Sequence, residues 1–212
     1  MASTSAPPST RQRLISSTSD LLRRKGLHGF GVSDVLAAAE APKGVLYHHF
    51  PGGKVELAIA AIEAAVSQIL RSLEAIEASG GDVLLALRAW LDQAHHRLAK
   101  SGYEMGCPLA AVALESTAED RELRAALNTG FDAIRAHLAR LLVQAGMSRA
   151  KAPRFAALVV SAYEGALLQA RIAGDAKPAD ETVDLLLEMV RINLAQPRAN
   201  RPSPRRGGAE EG

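Results

Sequence analysis

From Thr10 onward, apolar side chains recur at steps of three and four, the spacing that lines one face of an α-helix, and no run of alternating β-branched residues interrupts them. The pattern predicts helices and nothing else. The first runs from about Thr10 to Lys25, with Leu14, Thr18, Leu21 and Leu22 on one face and Gly26 as its stop. Ser33 reads as the N-cap of a short second helix to about Ala39, and Pro42 as the opening position of a third, two-turn helix that ends near His49. A fourth starts at Gly53 or Lys54 and carries Val55, Ala58, Ile59, Ile62, Val66, Ile69, Leu70 and Leu73 to a Gly80-Gly81 break. Asp82 then caps a fifth bearing Leu84, Leu87, Leu91, Ala94 and Leu98, which closes at Ser101-Gly102. A short sixth is expected from about Pro108 to Glu115. A long seventh carries Leu123, Leu127, Phe131, Ile134, Leu138 and Leu141 to Gly146. The eighth and ninth are expected from about Lys151 to Ala173 and from about Pro178 to Leu194. Nine helices make this an all-α chain.

Composition agrees and narrows the class. Alanine fills 40 of 212 positions and aromatics only 4%, so the core must be built from small and branched aliphatics that favour helices. Residues 1–9 and 196–212, rich in Pro, Ser, Gly and charge, read as tails with little to bury. The longest apolar stretches, such as Phe155 to Tyr163, fall short of the ~20 residues that cross a bilayer, so no membrane span is expected. Without an apolar run behind a basic start, and with the single Cys107 unable to make an internal disulfide, the chain reads as cytoplasmic.

Net charge is only +2, but it is unevenly spread: residues 1–54 hold seven basic and three acidic groups, residues 55–195 fourteen and eighteen, and the remainder four and two. A basic N-terminal part thus joins an acidic body, a distribution suited to a polyanion at one end.

Three short helices with a tight turn between the second and third match the arithmetic of a helix-turn-helix DNA reader. The third helix supplies the chemistry. Leu46 and Phe50, four apart, can pin one face to the core, which leaves Lys43, Tyr47 and His48 elsewhere on its surface. Lys43 can pair with a phosphate or a guanine edge, and Gly44 lets backbone approach a duplex closely. Val45 offers methyl groups to a thymine methyl, and Tyr47 and His48 can donate to phosphate oxygens. Lys54 and Ser33, each at a helix start, add further donors for an anion.

The run Pro42-Lys43-Gly44-Val45-Leu46-Tyr47-His48-His49-Phe50 resembles the recognition helix of TetR-family transcriptional repressors. The following Pro51-Gly52-Gly53-Lys54 and the later Gly106-Cys107-Pro108-Leu109-Ala110-Ala111-Val112-Ala113-Leu114-Glu115 resemble the LmrA/YxaF-like subgroup. The resemblance spans roughly residues 10 to 195. It implies a helix-turn-helix domain over residues 10–53, a ligand-binding and dimerisation domain over 54–195, a homodimer on a pseudo-palindromic operator in double-stranded DNA, and release by a small-molecule effector. By motif position it assigns DNA contact to Lys43, Tyr47, His48 and Lys54, with Ser33, Gly44 and Val45 beside them. Two departures stand out: Glu40 occupies a turn position where the family usually has Gly, and Val45 replaces a small hydroxyl residue.

Elsewhere the residues speak more quietly. Trp90, His95, Met105, Cys107, Phe131 and Tyr163 are the larger or more polarisable groups of the middle helices and the candidates for an effector pocket. Glu164 and Arg171, about two turns apart, can orient a polar ligand or pair between subunits. Tyr163, Ala166, Leu167 and Ala170, with Val183, Leu187 and Val190, supply two faces for a four-helix dimer interface, unless both are filled within one chain. No metal, cofactor or enzymatic site is expected. The adjacent His48-His49 and His95-His96 point about 100° apart on a helix and, in this reading, no carboxylate or cysteine completes either pair. No nucleophile elbow or phosphate loop is present. The rival to a repressor is a helical small-molecule binding protein with a vestigial helix-turn-helix.

Overall fold

Residues 7–194 are described by the computed structural model, and the nine helices among them follow the expected order. They are α1 (Thr10–Lys25), α2 (Val32–Ala38), α3 (Val45–His49), α4 (Gly53–Ser79), α5 (Val83–Lys100), α6 (Pro108–Glu115), α7 (Arg121–Gln144), α8 (Ala152–Ala173) and α9 (Lys177–Asn193). Of the two expected tails, only Pro7–Ser9 falls within the described residues. There Ser9 closes a capping box: its hydroxyl accepts from the Gln12 amide, and the Gln12 side chain accepts from the Ser9 amide at 2.9 Å.

Local chemistry sets the helix ends. The Asp82 carboxylate accepts from the Leu84 and Leu85 amides and starts α5 as its sequence predicts. Ser33 does not cap α2. That helix begins two residues earlier, because the Asp34 carboxylate reaches back to the Gly31 amide at 2.7 Å and fixes Gly31 as the cap, leaving Ser33 exposed in the first turn. Pro42 does not open α3 either. Gly44 adopts a left-handed φ of 92°, so Pro42 and Lys43 belong to the turn and only Val45–His49 is helical.

α2 ends in a Schellman motif, with the Ala41 amide on the Leu36 carbonyl and the Glu40 amide on the Ala37 carbonyl. This places Glu40 at a φ of 48°, the left-handed conformation that its departure from glycine brought into question. α5 and α7 end by the same hydrogen-bond pattern but with Gly102 and Gly146 at the equivalent position.

α4 packs on both α1 and α7, while α8 lies between α7 and α9. Where α4 meets α7, Gly130 permits the approach, since a Cβ there would come within 2.6 Å of the Val66 side chain. One contiguous aliphatic core runs from Leu14, Leu22, Leu46 and Phe50 through Leu57, Ile62 and Leu73 to Leu138, Val159 and Val183.

α8 qualifies the expectation about membrane spans. Taken whole, its 22 residues are long and apolar enough to cross a bilayer. One face of it, with the buried Ala152, Ala156, Val159, Ala166, Leu167 and Ala170, nevertheless packs within the chain between α7 and α9.

Candidate nucleic-acid interface

The inner side of α3 is fixed by Leu46 and Phe50, which are 0% and 1% exposed. A helix of five residues pinned at both points has one orientation, and its outer side follows. Tyr47 is 58% exposed, Lys43, Gly44 and His48 are also exposed, and Val45 is half-buried against the core. Of the seven residues expected to contact DNA, Ser33, Lys43, Gly44, Tyr47 and His48 are thus exposed, while Val45 and Lys54 are half-buried.

Lys54 is engaged within the protein. Its ammonium donates to the Phe30 carbonyl and lies 4.4 Å from the centre of the Phe30 ring, and burial holds its pKa below the ordinary lysine value despite the pull of Glu115 and Asp34. It ties the first turn of α4 to the α1–α2 loop. The sequence reading missed two cations on α1. Arg11 stacks over the Phe50 ring at 5.0 Å, and Arg13 donates from Nε to the Ala39 carbonyl at 3.0 Å, holding the turn that precedes α3.

The other end of α1 is joined to the body. Its last carbonyls, the negative end of the helix, accept from the Arg171 guanidinium (Arg23 carbonyl at 3.4 Å, Arg24 carbonyl at 3.1 Å) and from the Gly106 amide at 3.3 Å. Arg24 pairs with Glu104, and the His28 amide donates to Glu115 at 2.8 Å. Arg171 thus makes its hydrogen bonds inside the chain.

Two cavities share the Gly106-Cys107 wall. One, of about 330 Å³, is lined by Trp90, Met105, Cys107 and Tyr163 together with Arg23 and Arg97. The Trp90 and Tyr163 rings stack there with centroids 5.4 Å apart. The second, of about 450 Å³, lies among α6, α7 and α8 and holds Cys107, Phe131, Glu164 and Arg171. Five of the six effector candidates thus line one cavity or the other. His95 lines neither. It is buried where α5 meets α9, beside Asp92 and Asp180, and burial lowers its pKa more than those carboxylates raise it. Asp92, one turn before His95, is a carboxylate at ligand spacing that the sequence reading passed over.

Burial dominates the chemistry at the shared wall. It pushes the Glu164 carboxyl up to about 7 and drives the Cys107 thiol and the Tyr163 phenol well above their ordinary values, with the neighbouring Glu164 adding to both. Cys107 is consequently a protonated, buried thiol.

The faces expected to form a dimer are largely filled within the chain. Ala166, Leu167, Ala170, Val183 and Val190 are all at most 5% exposed, Tyr163 stacks on Trp90, and Leu187 is half-buried. The apolar side chains that α8 and α9 do present outward are Leu158, Leu168, Ile172, Leu185, Met189 and Ile192. Sequence periodicity identified both faces as apolar but could not say which one the neighbouring helices would cover.

Residues 14–61 match the family described as bacterial regulatory proteins of the tetR family, and residues 84–184 match the C-terminal domain of LmrA/YxaF-like transcriptional regulators. An HTH-type transcriptional regulator of Mycobacterium tuberculosis is 35% identical over 80% of this chain and 88% of its own. A regulatory protein TetR from Rhodobacter sphaeroides has a similar crystal structure, with a TM-score of 0.76 at 26% identity over 84% of this chain and 97% of that one. The fold is also that of the TetR-family regulator CifR, solved with 26bp double-strand operator DNA, at a TM-score of 0.72 and 17% identity over 87% and 98% of the two chains. With both halves matched, the chain belongs to the TetR family of transcriptional regulators, with an LmrA/YxaF-like C-terminal domain.

Proposed function

We propose that this regulator is a repressor that binds a pseudo-palindromic operator as a homodimer and is released by a small-molecule effector. The observation that carries this reading is the outward set Lys43, Tyr47 and His48 on a short helix whose inner side is fixed by Leu46 and Phe50. Residues 10–53 form the reader and 54–195 the effector and dimer body. Inserted in a major groove, α3 brings Lys43 and Tyr47 to phosphates or base edges, Gly44 allows the backbone close, and exposed His48 and Arg11 add donors at the flank. Lys54 and Ser33 play a lesser part, Lys54 because its ammonium is already held by Phe30.

The body supports the rest of the reading. A second copy covers the outward Leu158, Leu168, Ile172, Leu185, Met189 and Ile192. Two-fold symmetry then places the two readers in successive major grooves about 34 Å apart. The effector occupies one of the cavities at the Gly106-Cys107 wall, whose outer side holds the end of α1 through the Gly106 amide and Arg171. A ligand that fits better when this wall shifts favours a reader spacing the operator does not accept. Such a protein acts on DNA in the cytoplasm.

The test is a binding titration of the purified protein against its own upstream intergenic DNA at two salt concentrations. Wild type should bind with a steep salt dependence and sediment at twice the chain mass. Lys43→Ala and Tyr47→Ala should each lose about 1–3 kcal/mol of affinity without loss of stability. Equal binding by both variants, or ligand binding with no operator at all, favours the rival reading of a small-molecule binding protein.

A further inference from the structure

One cluster among the described residues serves neither the reader nor the cavities. Asp92 and His95 are one turn apart on α5, Asp180 reaches them from the first turn of α9, and a ligand atom from each lies within 4.8 Å of the others. His95 is only 4% exposed, and neither of its ring nitrogens has a hydrogen-bond partner. The nearest polar group to this buried imidazole is the Asp180 carboxylate, at ion-pair rather than hydrogen-bond distance. The imidazole Nδ1 stands 3.7 Å from Asp180 Oδ1, beyond hydrogen-bond length. That separation suits a shared ion: two donors so placed subtend about 120° at a cation roughly 2.1 Å from each.

The surrounding charges agree. Arg88 donates from Nε to both Asp92 oxygens, at 3.1 and 3.2 Å, and from Nη1 to Asp184, so two carboxylates share a single guanidinium. On α9, Lys177 and Glu181 pair with each other. Arg88 thereby orients Asp92 without consuming all of its lone pairs, the arrangement that commonly steadies a ligating carboxylate. Asp180 is exposed and Asp92 partly so, which gives an ion a path in from solvent.

We propose that Asp92, His95 and Asp180 bind a divalent transition cation that joins α5 to α9. One imidazole nitrogen with two carboxylate oxygens is a donor set for Zn²⁺, Co²⁺ or Mn²⁺ rather than for Ca²⁺ or Mg²⁺, which take oxygen throughout. Three protein donors leave a position for water. An ion here fastens α9, which carries the outward Leu185, Met189 and Ile192, to the helix that supplies Trp90 to one cavity.

Untagged full-length protein stripped by a chelator and dialysed against Co²⁺, then Zn²⁺, tests this. The expected result is one ion per chain, a visible Co²⁺ absorption that Zn²⁺ displaces, and a Tm that rises with Zn²⁺ concentration. Asp180→Asn, at an exposed position that leaves the fold intact, and His95→Gln should each weaken binding at least tenfold. The His48→Ala, His49→Ala double variant should bind as wild type does. The proposal is overturned if wild type takes up no cation, if Asp180→Asn and His95→Gln take up as much as wild type, or if the His48, His49 double variant loses the ion.

Discussion

The reader and the body solve the same problem, presenting a few polar groups from an aliphatic scaffold, by opposite means. In the reader, the outward residues and the pins that orient them lie within one stretch, from Lys43 to Phe50, on a helix too short to have any other orientation. In the body, the groups that meet are far apart in sequence: Cys107 with Glu164 across the cavity wall, Arg171 with the carbonyls of Arg23 and Arg24, His95 with Asp180. The difference teaches that local pinning makes a site readable residue by residue, whereas tertiary approach makes it depend on which helices happen to be neighbours.

Glu164 carries the largest expected effect of long-range packing in the body. Its carboxyl is raised from 4.5 to about 7 by burial, so the folded chain holds a proton there that the unfolded chain gives up. The stability this contributes is fully present below pH 4.5 and is lost as pH rises through about 7. Glu164→Gln, neutral at every pH, should match wild type near pH 4.5 and exceed it at pH 8 by up to about 3 kcal/mol, measured by urea unfolding at both values. An equal difference at the two pH values would mean that the carboxyl is solvated, and that the body's apolar wall is open there.

A smaller effect belongs to the joint between the two regions. Arg171→Ala removes the two guanidinium hydrogen bonds from the last carbonyls of α1 and should cost about 1–2 kcal/mol. Hydrogen exchange should speed up over residues 22–28 but not in α9. Arg171→Lys should restore little, because one ammonium cannot hold two carbonyls as the planar fork does. If exchange rises equally in α9, the reader and body are coupled through the whole core rather than through this joint.

What was legible in the sequence divides along the same line. All nine helices, the Asp82 cap and the outward Lys43, Tyr47 and His48 follow from periodicity, capping chemistry and one motif, each confined to a few consecutive residues. The misplacements at the starts of α2 and α3 are local competitions: Asp34 outreaches Ser33 for the cap, and Gly44 turns the backbone before Val45. The burial of Ala166, Leu167 and Val183 and the gathering of Asp92, His95 and Asp180 were not legible. An apolar face says that it will be covered but not by what, and carboxylates on α5 and α9 carry no sign of each other until α9 folds back.

The smallest effect tests the reader's own rule, that its geometry is written locally. Glu40 closes α2 in the left-handed region at a φ of 48°, where a side chain with a Cβ is strained, while α5 and α7 make the same closure with Gly102 and Gly146. Glu40 is exposed, and among the described residues its side chain makes no hydrogen bond that would offset the strain. Glu40→Gly relieves about 1–2 kcal/mol of backbone strain and gives back part of it through the greater freedom of glycine in the unfolded chain. The net gain should be up to about 1 kcal/mol, read as a higher urea midpoint with an unchanged slope. Operator affinity should stay within twofold of wild type, because the Ala41 and Glu40 amide bonds that aim α3 do not involve the side chain. A loss of stability instead would show that the turn relies on Glu40 through contacts beyond its own backbone, and that the reader is less locally determined than its pinned helix suggests.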